Sequence, residues 1–394
     1  MTVKYLHVIH SLNPAQGGPA EGVRQLAAAA LRLDHSVEIV TLDPPDSAWS
    51  RDCACAVHCV GPGRLKYGYA PEFIPWLRRN CTRFDAVVVN GIWQYHSYAT
   101  WRALRDTAVP YYVFTHGMLD PWFKSQYPLK HVKKLLYWPW AEYQVLRDAR
   151  AVLFTSEEER LLARRSFRWY RAREIVVNYG TPGLAGEPAA QREAFLCRFP
   201  HLRGKRIFLF LGRIHPKKGC DLLIEAFAPM LQVDPALRLV IAGPDASGMQ
   251  AQLTRLAERL GVAHSLTWPG MLRDDLKAGA FHAAEAFVLP SHQENFGIAV
   301  AEALSCQLPV LISNKVNIWR EIVTDQAGLV AHDDLPGTRQ LLQRWLALGD
   351  AERQAMSRNA GRCFRQRFHI DTAAINILLL FAQYGGKHQP GVAA

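Results

Sequence analysis

Pro290-Ser-His-Gln-Glu294-Asn-Phe-Gly297-Ile-Ala-Val-Ala-Glu302-Ala-Leu304 is the stretch on which the fold turns. It follows the apolar run Ala286 to Leu289, which reads as a short buried strand. Pro290 ends that run, and a helical pattern begins near Phe296 and Gly297. A helix N-terminus presents unpaired N–H groups and a partial positive charge, a natural seat for phosphate. Glu294 just before the helix and Glu302, about two turns further on, would repel a phosphate. They are better suited to accept hydrogen bonds from hydroxyls. Phosphate donors flanked by hydroxyl acceptors point to a sugar nucleotide.

Working outward, Ile207 to Leu211 is a second buried run, followed by Gly212-Arg213-Ile214-His215-Pro216-Lys217-Lys218-Gly219. In a doubly wound sheet, ligands bind beyond the carboxyl ends of strands, so this loop would face them. Arg213 can fork a phosphate and Lys218 supplies a mobile point charge, together enough to neutralise a diphosphate leaving group. Gly243-Pro244-Asp245 and Pro269-Gly270-Met271-Leu272 close two more strands. Asp245 reads as a turn or cap residue. Gly270 leaves room for a flat ring, placing a base between Gly270-Met271-Leu272 and the helix after Pro290.

The same strand–helix alternation runs through the whole chain. Tyr5–Ile9, Ser36–Leu42, Asp85–Val89, Tyr111–Phe114, Ala151–Phe154 and Glu174–Val177 form one series. Ile207–Leu211, Leu237–Ala242, Ser265–Trp268, Glu285–Leu289 and Pro309–Ile312 form a second. At 394 residues this predicts an α/β protein of two doubly wound, Rossmann-like domains. The turn-rich segment from Tyr179 to Pro188 opens the linker, giving domains 1–183 and 184–370. An apolar helix is expected over 371–384 and a disordered tail over 385–394. In the first half, Gly17-Gly18-Pro19 opens a helix after a strand, either as a plain turn or as a close backbone approach to a ligand. No Gly-x-Gly-x-x-Gly fingerprint occurs there. His116, followed by Gly117 at a strand end, is either structural or faces a ligand.

Lys and Arg number 46 against 35 Asp and Glu, a formal charge of +11 that favours anionic partners. Eight cysteines lack a Cys-x-x-Cys pair, which argues against a zinc site and for reduced thiols in a cytoplasmic protein. Met1 to Lys4 runs straight into a strand with no signal-peptide pattern. The apolar stretch from Ala373 to Ala382 is shorter than the roughly 20 residues a membrane span needs. Residues 122–173 interleave Lys and Arg with Trp, Tyr and Phe. That pattern suits the interface of an anionic membrane, and equally a solvated basic face over a packed core. Single-stranded nucleic acid would accept such a surface, but no nucleic-acid motif accompanies it.

The ordered set Gly-Arg…Lys-Gly, then Pro-Ser-x-x-Glu-x-Phe-Gly…Glu-Ala, resembles the retaining glycosyltransferases of family 4. The resemblance is closest in the second half and looser in the first, through Gly17-Gly18 and His116-Gly117. It implies a GT-B fold, with a nucleotide sugar on the C-terminal domain and the acceptor on the N-terminal one, and no cofactor. It implies that Arg213 and Lys218, with Gly212 beside them, bind the diphosphate, and that Glu294 contacts the transferred sugar. Asn295, Phe296 and Gly297 would offer backbone N–H groups, Glu302 would hold the ribose, His116 would sit near the sugar and Gly17-Gly18 near the phosphates. Met271-Leu272 departs from the commonest pattern at the base. His116-Gly-Met-Leu-Asp-Pro-Trp122 further resembles a bacterial subgroup that assembles surface polysaccharides, implying a glycan or polyprenyl-diphosphate-linked acceptor at the inner face of the plasma membrane. No Asp-x-Asp triplet occurs, so no metal is expected. The rivals are a nucleotide-sugar epimerase of the same fold and a non-catalytic basic protein binding membrane or nucleic acid.

Overall fold

The computed structural model describes residues 2–16, 18–245 and 247–384. Two compact units divide the chain: residues up to Pro182 together with those from His369 onward, and Gly183–Phe368. The first unit is a parallel sheet of β1 (Lys4–Ile9), β2 (Ser36–Thr41), β3 (Ala56–Cys59), β4 (Ala86–Asn90), β5 (Tyr111–Phe114), β6 (Ala151–Phe154) and β7 (Glu174–Val176), in the order β3-β2-β1-β4-β5-β6-β7. β4, β5 and β6 are buried along their whole length, as a sheet covered on both faces requires. Because successive side chains alternate between faces, Leu6, Val8, Val87, Val89 and Val113 join one core with Phe73, Leu77 and Trp101. On the other face Phe381, from the helix Ile370–Tyr384, lies 5.2 Å from the ring of Tyr5 and 5.1 Å from that of Tyr112. The chain's last described helix is therefore part of the first unit's core.

The second unit repeats the plan with β8 (Arg206–Leu211), β9 (Leu237–Ala242), β10 (Leu266–Gly270), β11 (Ala286–Leu289), β12 (Val310–Ser313) and β13 (Gly328–Ala331), ordered β10-β9-β8-β11-β12-β13. In each unit the strand order reverses once, between β1 and β4 and between β8 and β11. Such a switch point is where α/β sheets open a crevice at the strands' carboxyl ends.

Eleven strands arise from apolar runs in the sequence, shifted by a residue or two at their ends. β3 and β13 are edge strands that those runs do not mark. β3 has one exposed and three half-buried residues, because a strand paired on one side need not be apolar on both faces. Gly17 and the expected tail 385–394 lie outside the described residues. Among those described, no helix is long and apolar enough to cross a membrane.

Candidate active site

In the second unit the loops after β8, β9 and β10 are joined by main-chain hydrogen bonds. Gly212 N–H donates to Ala242 O (3.0 Å), Ile214 N–H to Pro244 O (3.0 Å) and Gly243 N–H to Gly270 O (2.8 Å). Asp245 behaves as a cap, accepting from the N–H groups of Met249 (2.8 Å) and Gln250 (3.1 Å). Beyond the switch point, the loop after β11 is tied to the β8 loop. His292 N–H donates to Lys217 O (2.8 Å), Ser291 Oγ donates to the same oxygen (2.9 Å), and Lys217 Nζ donates to Gln293 Oε1 (2.7 Å). Gly219 ends the short 3-10 turn Pro216–Lys218 at φ +67°, and a Cβ there would lie 2.3 Å from Pro290 O. Only glycine lets the two loops approach so closely.

That approach brings Lys218 onto Glu294, and Nζ donates to Oε2 with both side chains largely buried. Burial, aided by the charges of Lys217 and Arg213, pushes the Lys218 ammonium down to about 7. The paired carboxylate opposes this by holding the charged form. Arg213 is exposed beside them. Glu294 is fixed by its own backbone, which donates to Lys315 O (2.9 Å) and accepts from Asn317 N–H (2.9 Å). Three residues on, Gly297 caps the helix Ile298–Ser305 at φ +74°. The helix thus starts just past Glu294, its N-terminus beside the two cations' loop. Of the neighbouring residues, Asn295 accepts from Asn317 Nδ2 (3.3 Å). The Phe296 ring is buried, 5.7 Å from that of Phe368, so Phe296 can serve a ligand only through its backbone.

Glu302, further along the same helix, accepts from Lys277 Nζ at 2.6 Å. Burial raises the Glu302 carboxyl and Lys277 offsets that rise. The sequence does not single out Lys277. It lies on the helix Asp274–Ala283, 25 positions from its partner, with no local pattern to mark it. Gly270 stands at φ +71°, and a Cβ there would meet nothing within 4 Å, so backbone conformation is what requires glycine. Met271 is exposed and Leu272 half-buried.

Gly18 and His116 belong to the first unit. Gly18 is the first residue of the helix Gly18–Arg32. Ahead of it, Asp43 accepts from Ser11 Oγ (2.6 Å) and Leu12 N–H (2.8 Å) and so fixes the loop after β1. His116 sits past β5 at φ +48°, followed by Gly117 at φ +74°. Its Nε2 lies 3.3 Å from Asn90 Oδ1, its ring stacks on Phe114 and Tyr179 meets it edge-on. Burial pushes its imidazole down to about 4, keeping it neutral at pH 7. Glu159, which sequence reading missed, and Asn90, which the sequence places at the polar end of a strand, hold this turn. Glu159 accepts from Gly117 N–H (2.6 Å) and Thr115 Oγ1 (2.7 Å) with Oε1, and from Thr155 N–H (2.8 Å) and Thr155 Oγ1 (2.7 Å) with Oε2. Asn90 also lies 3.1 Å from His7 Nδ1, and its carbonyl 3.0 Å from His96 Nε2.

Residues 195–362 match the family model described as Glycosyl transferases group 1, and residues 17–181 the one described as Glycosyl transferase 4-like domain. Among curated proteins, the D-inositol 3-phosphate glycosyltransferase of Segniliparus rotundus is 33% identical over 191 residues, 47% of this chain and 42% of the relative. The protein of the same name from Streptomyces avermitilis is 32% identical over 241 residues, 59% of this chain and 52% of the relative. The chain thus aligns with about half the length of these relatives. Among solved structures, HepE of Anabaena in complex with UDP superposes with a TM-score of 0.75 at 17% identity, covering 96% of this chain and 100% of that one. The chain is built on the GT-B fold from a glycosyl transferase 4-like domain followed by a glycosyl transferases group 1 domain.

Proposed function

We propose that this protein is a retaining glycosyltransferase of family 4, moving a hexosyl unit from a UDP- or GDP-sugar to a glycan or polyprenyl-diphosphate-linked acceptor in the assembly of bacterial exopolysaccharide or lipopolysaccharide. The observation that carries the reading is the meeting of Lys218 with Glu294 beside the N-terminus of the helix Ile298–Ser305. Breaking a glycosyl–diphosphate bond leaves oxocarbenium-like charge on the sugar and negative charge on the leaving oxygen. Arg213, Lys218 and the helix N-terminus are suited to stabilise the latter electrostatically. A diphosphate drawing Lys218 to itself frees Glu294 to accept hydrogen bonds from sugar hydroxyls. Glu302 accepts from the ribose, and the neutral His116 serves the sugar from the acceptor-binding domain. The relatives named for inositol 3-phosphate favour a second acceptor class, a small phosphorylated polyol.

The cations replace a metal in this mechanism, so EDTA leaves turnover intact. Leu129, Leu136 and Trp140 are 81%, 73% and 80% exposed on and after the helix Pro128–Tyr137. With Lys133 beside them they support peripheral contact with an anionic membrane, which flotation with anionic liposomes at low salt would detect. The deciding experiment pairs a thermal-shift screen of UDP- and GDP-sugars with the turnover of Glu294→Ala and Lys218→Ala. One nucleotide sugar should stabilise the fold, and each variant should lose about 100-fold or more in turnover while staying folded. Near-normal rates in both would refute the site. Sugar-nucleotide conversion without any acceptor would favour an epimerase, and absence of all nucleotide-sugar binding a non-catalytic protein.

A further inference from the structure

We propose that the first unit holds a second anion site, a lysine-lined pocket that takes a phosphate or diphosphate ester; its assignment to the acceptor rests on the glycosyltransferase reading, whereas the anion site itself does not. A cavity of about 280 Å³ lies beside the helices Trp122–Gln126 and Pro128–Tyr137, with Lys124, Lys130, His131 and Lys134 around it and Phe123 and Phe167 among its apolar walls. Lys130 and Lys134 are four residues apart on one helix and so share a face. Leu129, Val132 and Leu136 occupy the opposite face.

None of the three lysines forms an ion pair among the described residues. Aromatic rings hold two of them instead. Lys130 Nζ stands 4.6 Å above Tyr127, and Lys134 Nζ 4.5 Å above Trp93 and 5.7 Å from the Phe123 ring. A ring face orients an ammonium without cancelling its charge. Burial pushes Lys134 down to about 8; Glu142 opposes that shift, and Lys130 adds a smaller contribution to it. His131 is lowered by burial and by Lys124 and Lys134. Glu142 interacts with Lys134 electrostatically but forms no ion pair with it; it is fully buried, with Oε1 accepting from Trp93 N–H (2.8 Å) and Ser97 Oγ (2.9 Å). The carboxylate that does line the cavity, Asp120, accepts from Trp122 N–H (2.9 Å). An incoming phosphoryl group would pair with these ammonium groups, and the apolar walls accommodate whatever carbon skeleton carries it.

The test uses the full chain saturated with whichever of UDP and GDP binds, so that the donor's own cations are occupied, and titrates inorganic pyrophosphate and geranyl diphosphate by calorimetry. At least one should bind wild type and weaken about tenfold or more in Lys130→Gln/Lys134→Gln, with affinity for that nucleotide unchanged. Tighter binding of geranyl diphosphate identifies an amphiphilic ester, and equal binding identifies the phosphate group alone. The exposed pair Lys124→Gln/Lys130→Gln provides the same readout should half-buried Lys134 be needed for folding. The proposal is overturned if neither compound binds, or if the substitutions leave binding unchanged. Failure of both UDP and GDP to bind would instead count against the glycosyltransferase reading, and the pyrophosphate titration would still report on the pocket.

Discussion

Replacing Lys277 with methionine tests the donor end of the site at its most specific point. The ammonium donates to Glu302 Oε1 at 2.6 Å, with the two side chains 24% and 10% exposed. Removing one partner of a fully buried pair costs roughly 3–5 kcal/mol. Partial exposure of Lys277 reduces this to about 2 kcal/mol, or about 4–8 °C in the melting temperature of a domain this size. The sign with pH follows from Glu302, whose folded-state pKa lies above the ordinary carboxyl value because of burial. Stability associated with such a group is fully present below its unfolded pKa and is lost as pH rises through the folded pKa. Without Lys277 that rise is larger, so the melting deficit of Lys277→Met should be greatest at pH 8 and shrink towards pH 5. Binding reports the same event. A carboxylate accepting from a ribose hydroxyl should make wild type prefer UDP over 2′-deoxy-UDP by about tenfold or more. Without Lys277 to favour its charged form, Glu302 should accept more weakly, and the variant should lose most of that preference. A melting deficit equal at pH 5 and pH 8, with ribose discrimination intact, would refute the coupling of Lys277 to Glu302.

Acid should loosen the first unit. Burial holds fully buried His7 and His96 down at about 3, so the unfolded chain binds more protons below about pH 6.5. Stability should fall progressively from there, by about 2 kcal/mol per histidine at pH 5; a first-unit thermal transition unchanged between pH 7 and 5 would contradict this. Gly297→Ala places a Cβ at φ +74°, 3.2 Å from Val300 Cγ2 and 3.3 Å from Glu294 Cγ. It should cost about 1–2 kcal/mol and, by displacing Glu294, lower kcat more than it weakens UDP binding, as steady-state kinetics and calorimetry would show.

The central strands were legible because a strand covered on both faces must be apolar throughout, as Ala86–Asn90 and Tyr111–Phe114 are. Ala56–Cys59 at a sheet edge carries no such obligation. The same contrast separates the residues of the site. Arg213, Lys218, Glu294 and Glu302 stand in short loops or on one helix, so their spacing is written locally. Lys277 and Glu159 owe their positions to partners brought near by the fold. Glu159 in particular is the third of three glutamates opening the helix Glu157–Ala163, a common arrangement at a helix N-terminus. Nothing local says that its carboxylate crosses 42 positions to Gly117 N–H.

The two units also fix their strand-end loops by different chemistry, which explains why the second unit's loops read more plainly in the sequence than the first's. In the second unit the loops after β8, β9 and β10 bond main chain to main chain. Close approach of backbones demands glycines such as Gly219, and these leave a motif. In the first unit, buried carboxylates do much of that work. Asp43 accepts from Leu12 N–H, Glu142 from Trp93 N–H and Glu159 from Gly117 N–H. A buried acceptor can hold a loop whose side chains differ, because it bonds only the backbone. That arrangement leaves the loop's side chains free to vary, while the constraint sits on a residue remote in sequence. It also carries a cost. Burial pushes Glu142 up to about 7, so ionising it disfavours the fold as pH rises through that value, whereas His7 and His96 weaken the fold as pH falls. The first unit is therefore expected to be most stable near neutrality, with Trp93 and the pocket beside it reporting the alkaline side and the histidines around Asn90 the acid side.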